Sequence, residues 1–299
     1  MGDGVMAGWQ CVIVGCVQLV AVQLGVAHAC SLPEGPARAV VSVIDGDTLV
    51  LDDHNKLRLI GALRPAPPTT DTTETDWQPA AAARDALQRM VTGQSLLLEQ
   101  DKRATDRYGQ QLAQAFIVTG EGQVWLQGRM VEQGLARAYS FPDNRGCAAE
   151  LIALEADARQ AHRGLWTNAA YAVRPADATR ELLRYVGSYQ LVEGTVASAV
   201  ASKGRVYLDF GTDWHTDFTA ALDAAARKEF EVAGLDPASL KGQRIRVRGW
   251  IESANGPQIH VTHPEQIEIL ADDGTGAVIS PDKPTDAPVD ATQDIAERQ

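Results

Sequence analysis

The sequence predicts an α+β chain rich in β-structure and organised in two units. Two observations carry this: residues 40–118 and 190–270 each hold a series of short β-rich runs bounded by turn residues, and helical stretches follow or interrupt both series. At 299 residues and 45% hydrophobic composition, the chain is long enough for two modest cores.

Taken in order, residues 12–27 are apolar except for two Gln and lead to Ala27-His28-Ala29, a small-x-small pattern suited to cleavage before Cys30. The expectation is a signal peptide over residues 1–29 and an exported, periplasmic or extracellular protein without a transmembrane span in its mature form. No Lys or Arg precedes the apolar stretch, so a retained anchor and a lipidated Cys30 stand as alternatives. Cys11 and Cys16 fall inside that segment, leaving Cys30 and Cys147 to form one disulfide or to remain two unrelated thiols. The disulfide is the expectation.

Residues 40–44, 48–51 and 57–60 read as strands of a meander, with Asp45-Gly46-Asp47 and the Asp52 to Asn55 stretch as turns. Residues 64–79 contain four Pro and several Thr and Asp and read as an extended loop. Helices are expected over 80–91, 124–133 and 148–161, with strands at 95–99 and 112–118. Residues 167–189 read as a linker, helical near 179–185. Residues 190–270 show runs at 191–197, 206–210, 218–222, 245–251, 259–262 and 267–270, with a helix over 224–233. Short strands with one inserted helix suit a small barrel of the oligonucleotide-binding type. Residues 271–299 carry seven acids and two bases and few large apolar residues, the composition of a disordered acidic tail.

Four ordered blocks identify the first unit, residues 30–166. They are Val43-Ile44-Asp45-Gly46-Asp47-Thr48-Leu49, Leu57-Arg58-Leu59-Ile60-Gly61, Asp106-Arg107-Tyr108-Gly109 and Val131-Glu132-Gln133-Gly134-Leu135-Ala136, closed by Gly164-Leu165-Trp166. In order and spacing they resemble the staphylococcal nuclease (thermonuclease) family. The resemblance implies a five-stranded oligonucleotide-binding barrel with three helices, and a calcium-dependent nuclease. It matches Asp47 to a metal carboxylate, Arg58 to a phosphate-binding arginine and Asp45 to a neighbouring carboxylate. Arg107 and Tyr108 match positions flanking bound nucleotide, and Tyr139 and Phe141 an aromatic pair beside the pocket.

The departures concern the catalytic groups themselves. Where the family continues Asp-Thr-Pro-Glu, this chain has Leu63-Arg64-Pro65-Ala66, and the family's second phosphate arginine is Gln110. Leu63 and Ala66 can neither bind calcium nor accept a proton, and neutral Gln110 cannot stabilise charge as a guanidinium does. No cofactor is therefore expected; calcium enters only if Asp71, Glu74 and Asp76 fold back to rebuild the site.

In the second unit Arg244, Arg246 and Arg248 alternate with Ile245 and Val247, which puts the three on one strand face. An exposed stripe could follow a phosphate backbone, with Trp214, Tyr207 and Phe210 as stacking surfaces; a charged outer face paired with nearby acids is the favoured reading, since residues 190–270 carry 11 acids against 8 bases. His54, His215, His260 and His263 are read as surface or loop residues. The formal charge of −12 argues against a general electrostatic grip on nucleic acid, although residues 38–166, with 17 acids and 14 bases, are nearly balanced. The expected function is a non-catalytic or weakly active exported binding module for nucleic acid, nucleotide, or an envelope protein or polymer. A nuclease with a rearranged site is the rival.

Overall fold

A computed structural model describes residues 30, 32–67, 76–120, 122–271 and 274–279. The expected signal segment 1–29, the loop acids Asp71 and Glu74, and residues 280–299 lie outside the described residues.

The first unit contains β1 (Glu34–Val43), β2 (Thr48–Leu51), β3 (Lys56–Leu59), β4 (Ala62–Leu63), α1 (Gln78–Val91), β5 (Ser95–Glu99), β6 (Gln111–Thr119), β7 (Gly122–Trp125), α2 (Leu126–Glu132), β8 (Arg137–Ala138) and α3 (Ala148–Gln160). Antiparallel pairings run β1 to β2 and β2 to β3, and β3 joins β6 in parallel. β6 then pairs with β5, and β5 returns to β1, so the five strands close into a barrel. β1 serves both ends because it is long and irregular, with Pro36 falling inside the register shift where its missing N–H breaks no ladder. Leu49, Leu51, Leu57, Leu59, Leu96 and Leu98 fill the core.

β7 was expected to open a helix. Val124 and Trp125 instead pair across the sheet with Ile117 and Phe116, and helix α2 starts one residue later. Gln127 on α2 is fully buried and spends its amide on β6, accepting from Ala115 N and donating to Ala113 O. Gly134 and Gly164 explain two of the sequence blocks. Both have positive φ; a Cβ on Gly134 would run into Arg163 O and one on Gly164 into Gly134 O, where Leu165 N donates to Gly134 O at 2.8 Å.

Residues 167–189 are not a free tether. They hold β9 (Arg174–Pro175) and α4 (Thr179–Leu182). Tyr171 and Leu182 are buried, and β9 pairs in parallel with the first strand of the second unit.

That unit comprises β10 (Tyr189–Thr195), β11 (Ser198–Ser202), β12 (Arg205–Asp209), β13 (Thr219–Leu222), α5 (Ala224–Val232), β14 (Arg244–Ala254), β15 (Gly256–Val261), β16 (Ile267–Leu270) and β17 (Gly276–Val278). β11 pairs β12, β12 pairs β13, β13 joins β15 in parallel, β15 pairs β14 and β14 pairs β10. β10 and β11 are successive stretches of one run of chain, so this curled sheet follows the same ring order as the first barrel. α5 lies between the third and fourth strands, as α1 does in the first unit, and buries Phe230 in the second core. Part of the expected acidic tail is structured: β17 pairs with β16, and Ile279 is fully buried.

Cys30 and Cys147 form a disulfide with Cα atoms 4.9 Å apart and a sequence separation of 117. Closing so long a loop stabilises by about 4 to 5 kcal/mol in the chain-entropy account.

The two units pack through an apolar cluster, in which Tyr189 and Leu191 of β10 meet Ile60, Leu63 and Leu112 of the first barrel, and through polar groups. Arg244, Arg246 and Arg248 do share one face of β14, but the face is covered. Arg246 pairs with Glu193 and Glu268, while fully buried Arg248 pairs with Glu268 at 2.5 Å and with Glu155 of α3 at 2.8 Å. Only Arg244 is exposed, and it too is paired with Glu193. Of the two readings of this face, pairing with nearby acids holds, and the phosphate-following stripe is corrected: its charges are consumed by carboxylates, and Arg246 and Arg248 are buried rather than exposed.

His263 is the second correction, because it is buried in this interface. Its Nε2 lies 2.6 Å from Ser140 Oγ, and its Nδ1 2.8 Å from Thr262 Oγ1. Burial, helped by the nearby Arg145 guanidinium, pushes its pKa down to about 3. Arg145 itself pairs with Glu229 and Glu265. A histidine with a lowered folded pKa leaves the unfolded chain binding more protons between about pH 3 and about pH 6.5. Stability is then fully present above that window and falls as pH drops through it, by up to about 1.4 kcal/mol per pH unit. Urea unfolding at about pH 7.5 and about pH 5 should show this loss, and His263→Gln should shrink the difference between the two. An unchanged difference would remove His263 as its source.

Candidate active site

The site is built on the turn between β1 and β2. Asp47 N donates to Asp45 Oδ1 at 3.0 Å, and Thr48 Oγ1 donates to Asp47 Oδ1 at 2.9 Å, which fixes both carboxylates. Gly46 must be glycine here, since a Cβ would stand 2.9 Å from the Ala83 Cβ on α1 and 3.3 Å from the Arg64 Cβ. Asp47 is 1% exposed. Burial first, and Asp45 beside it second, raise its pKa to about 6 against the pull of Arg58.

The register Thr48 to Arg58 brings the β3 arginine beside the turn, with its Nη2 3.8 Å from Asp47 Oδ2. Burial works against the Arg58 charge, but Tyr139, Asp47, Asp106 and Asp45 around it hold the pKa above the ordinary arginine value. Its Nε is buried without a hydrogen-bond partner, as are the Tyr139 hydroxyl and Asp106 Oδ2. Burial also pushes the Tyr139 phenol upward, so it stays neutral.

Arg64 occupies the centre of the arrangement. Its Nε lies 3.4 Å from Asp45 Oδ2 and 3.8 Å from Asp47 Oδ1, and its backbone N is 3.4 Å from Asp47 Oδ2. A guanidinium thus stands against both carboxylates of the turn. Leu63 is buried in an apolar cluster with Ile60, Leu112 and Tyr139. Ala66 is exposed and contributes only its carbonyl, which accepts from Tyr171 Oη at 3.0 Å.

The Asp106 loop flanks this group. Asp106 Oδ1 accepts from Tyr108 N and Gln110 N at 2.8 and 2.9 Å, and Gly109 completes the turn with φ 77°. Tyr108 is 69% exposed, with the Arg107 guanidinium 4.8 Å from its ring centre. Phe141, half-exposed, meets the Tyr139 ring edge-on at 5.0 Å. Asp45, Asp47, Arg58 and Tyr139 therefore surround one locus, joined by Arg64 and Asp106, while Arg248 pairs across to the first unit and Arg244 and Arg246 pair within the second. Arg64 as a partner of the carboxylates and Asp106 as a neighbour of Arg58 were missed in the sequence. The signal for Arg64 was available: a long cation one residue beyond a lost carboxylate.

Calcium takes six to eight oxygen ligands. The residues present supply Asp45 and Asp47, both already faced by a guanidinium. Among the described residues no group of three or more His, Cys, Asp or Glu is placed to hold a metal. Among the described residues, the donor set does not fit calcium.

Comparison with known proteins agrees with the geometry. Residues 56–168 match the family described as staphylococcal nuclease homologue. The chain is 32% identical over 133 residues to a thermonuclease of Staphylococcus hyicus, covering 43% of this chain and 75% of that protein. It is 29% identical over 136 residues to a thermonuclease of Staphylococcus intermedius, covering 44% and 77%. It is also 30% identical over 130 residues to an uncharacterized endonuclease of Escherichia coli O157:H7, covering 44% and 76%. A closed five-stranded barrel with its acidic turn and strand arginine, matched over this length, places the chain in the thermonuclease family.

Proposed function

We propose that the first barrel binds a phosphate-bearing ligand, nucleic acid or nucleotide, without hydrolysing it, and that the protein acts outside the reducing cytoplasm. The observation that carries the first part is Arg64 lying against Asp45 and Asp47. Phosphodiester hydrolysis in this family needs a metal to polarise the phosphate, a base to aim water, and cations to offset developing charge. Here a guanidinium competes for the carboxylates, Ala66 stands at the base position, and Gln110 at that of the second arginine.

Binding is supported by what remains. Arg58 keeps an unpartnered buried Nε beside the Tyr139 hydroxyl, and the exposed Tyr108 offers a ring face for a base. The Cys30 to Cys147 disulfide and the apolar segment before Cys30 support export. No helix among the described residues is long and apolar enough to cross a membrane.

The binding claim is tested with a 5′-phosphorylated, fluorophore-labelled single-stranded oligonucleotide in calcium-free buffer, read by anisotropy. Arg58→Ala should weaken the association by about tenfold, a loss of about 1.4 kcal/mol in the range of a charge-assisted hydrogen bond. Equal affinity for the variant and the unmodified protein would remove this pocket as the ligand site.

A further inference from the structure

The second barrel carries a cleft that the nuclease-type pocket does not account for. It lies on the outer face of the four-stranded stretch β11, β12, β13 and β15. Strand alternation turns Val206 and Leu208 inward and leaves Tyr207 and Asp209 outward, and Ile259 and Val261 inward with Gln258 and His260 outward.

The pairing register aligns these outward residues in two rows across the sheet. Val200, Tyr207, Ala221 and His260 form one row, and Ser198, Asp209, Thr219 and Gln258 the next. The small Ala221 between Tyr207 and His260 makes the hollow. Two lobes of about 400 and about 590 Å³ meet at Tyr207, Asn255 and Gln258, and the second is walled by Trp214, which is 55% exposed.

The lining dictates the chemistry of the occupant. Tyr207 and Trp214 give flat apolar faces; Asn255 and Gln258 give amides that both donate and accept, and Thr219 and Ser198 give hydroxyls. Charge points away from a polyanion: Asp209, Asp223 and Glu252 face the cleft, against Arg205 as its one arginine or lysine. His260 Nε2 lies 3.5 Å from Asp223 Oδ2. Carboxylates in such a wall repel phosphate and accept hydrogen bonds from hydroxyls. β12, β13 and β15 are paired on both sides, and β11 pairs with β12, so the cleft is a side-chain-lined face of the sheet.

We propose that this cleft binds a neutral, hydroxyl-rich chain, an oligosaccharide, with sugar rings stacked on Tyr207 and Trp214 and their hydroxyls held by Asn255, Gln258 and the Asp209 to Thr219 pair. That pair is preorganised, since Thr219 Oγ1 donates to Asp209 Oδ1 at 2.9 Å and leaves further acceptor capacity on the carboxylate. The two lobes give room for a ligand longer than one ring. The site is independent of the first barrel's ligand.

Calorimetric titration of the full chain with cellotetraose and with chitotetraose tests this, using pentathymidylate and tetralysine as comparison ligands. At least one tetrasaccharide should bind with little dependence on salt. Trp214→Ala and Tyr207→Ala should each weaken it by about tenfold, and Ala221→Leu, which fills the hollow without removing a polar group, should do the same. Arg58→Ala should leave it unchanged. Absence of binding by both sugars at concentrations on the order of 10 mM would overturn the proposal. So would Trp214-dependent binding of pentathymidylate or tetralysine in place of sugar.

Discussion

A variant carrying Leu63→Asp, Arg64→Thr, Ala66→Glu and Gln110→Arg together should cleave single-stranded DNA in the presence of calcium at least about 10²-fold faster than the unmodified protein. The four changes act on one locus. Arg64→Thr removes the guanidinium 3.4 and 3.8 Å from the Asp45 and Asp47 carboxylates, and Leu63→Asp adds the missing acid. Ala66→Glu supplies the water-aiming base and Gln110→Arg the second phosphate cation. A missing base alone removes about 10² to 10⁴ in rate, and a missing electrostatic donor about 10² to 10³. Each single change should therefore leave activity at background, because groups that act as a unit contribute little separately. Leu63→Asp also takes an apolar side chain from the cluster around Leu112 and Tyr139, so folding is checked by circular dichroism. A folded, calcium-binding quadruple variant with no cleavage would sink the claim that these four positions account for the loss.

Arg248→Met should destabilise the protein by about 3 to 5 kcal/mol, the range for breaking a buried pair from one side. Arg248 is fully buried and joins Glu155 of the first unit to Glu268 of the second, and its Nη1 also donates to Ala138 O at 3.2 Å. Both carboxylates hold Arg248 charged against its burial. Glu155 is itself fully buried, and its other oxygen accepts from Ala138 N at 2.9 Å, so removing the arginine leaves this charge with the Ala138 N–H and the longer 3.7 Å pair to Arg159. Replacing all three by apolar residues of similar volume, Arg248→Met with Glu155→Leu and Glu268→Leu, should cost less than the single change. Denaturant unfolding of the two variants measures this. A single variant within about 0.5 kcal/mol of the unmodified protein would mean that the network does not couple the units.

The same arginine shows how far the sequence could be read. Strand period put Arg244, Arg246 and Arg248 on one face, and they are on one face. Periodicity says nothing of what packs there, and the covering residue, Glu155, lies 93 positions away on a helix where its charge reads as a solvent-facing position. His263 was misjudged for the same reason: Ser140, its partner, is 123 positions distant. β11 escaped notice because its Ser, Ala and Val composition carries little strand signal, yet it continues the chain of β10 and pairs with β12 at the far end of the curled sheet.

The blocks that name the family were legible because each is local chemistry. An Asx turn, a strand arginine beside it and two glycines in mutual contact need only short stretches to be recognised. Arg64 was visible as a substitution, but its reach into the Asp45 and Asp47 pair depends on the return of β4 past the turn, which no short stretch specifies.

The most direct test of the account is a cleavage assay of the purified, unmodified protein on single-stranded and double-stranded DNA, with calcium and then with other divalent metals. The account predicts no metal-dependent cleavage above that of an Asp47→Ala control. Efficient calcium-dependent cleavage that Asp47→Ala abolishes would contradict it, and would establish a working site in which Arg64 yields the carboxylates to the metal.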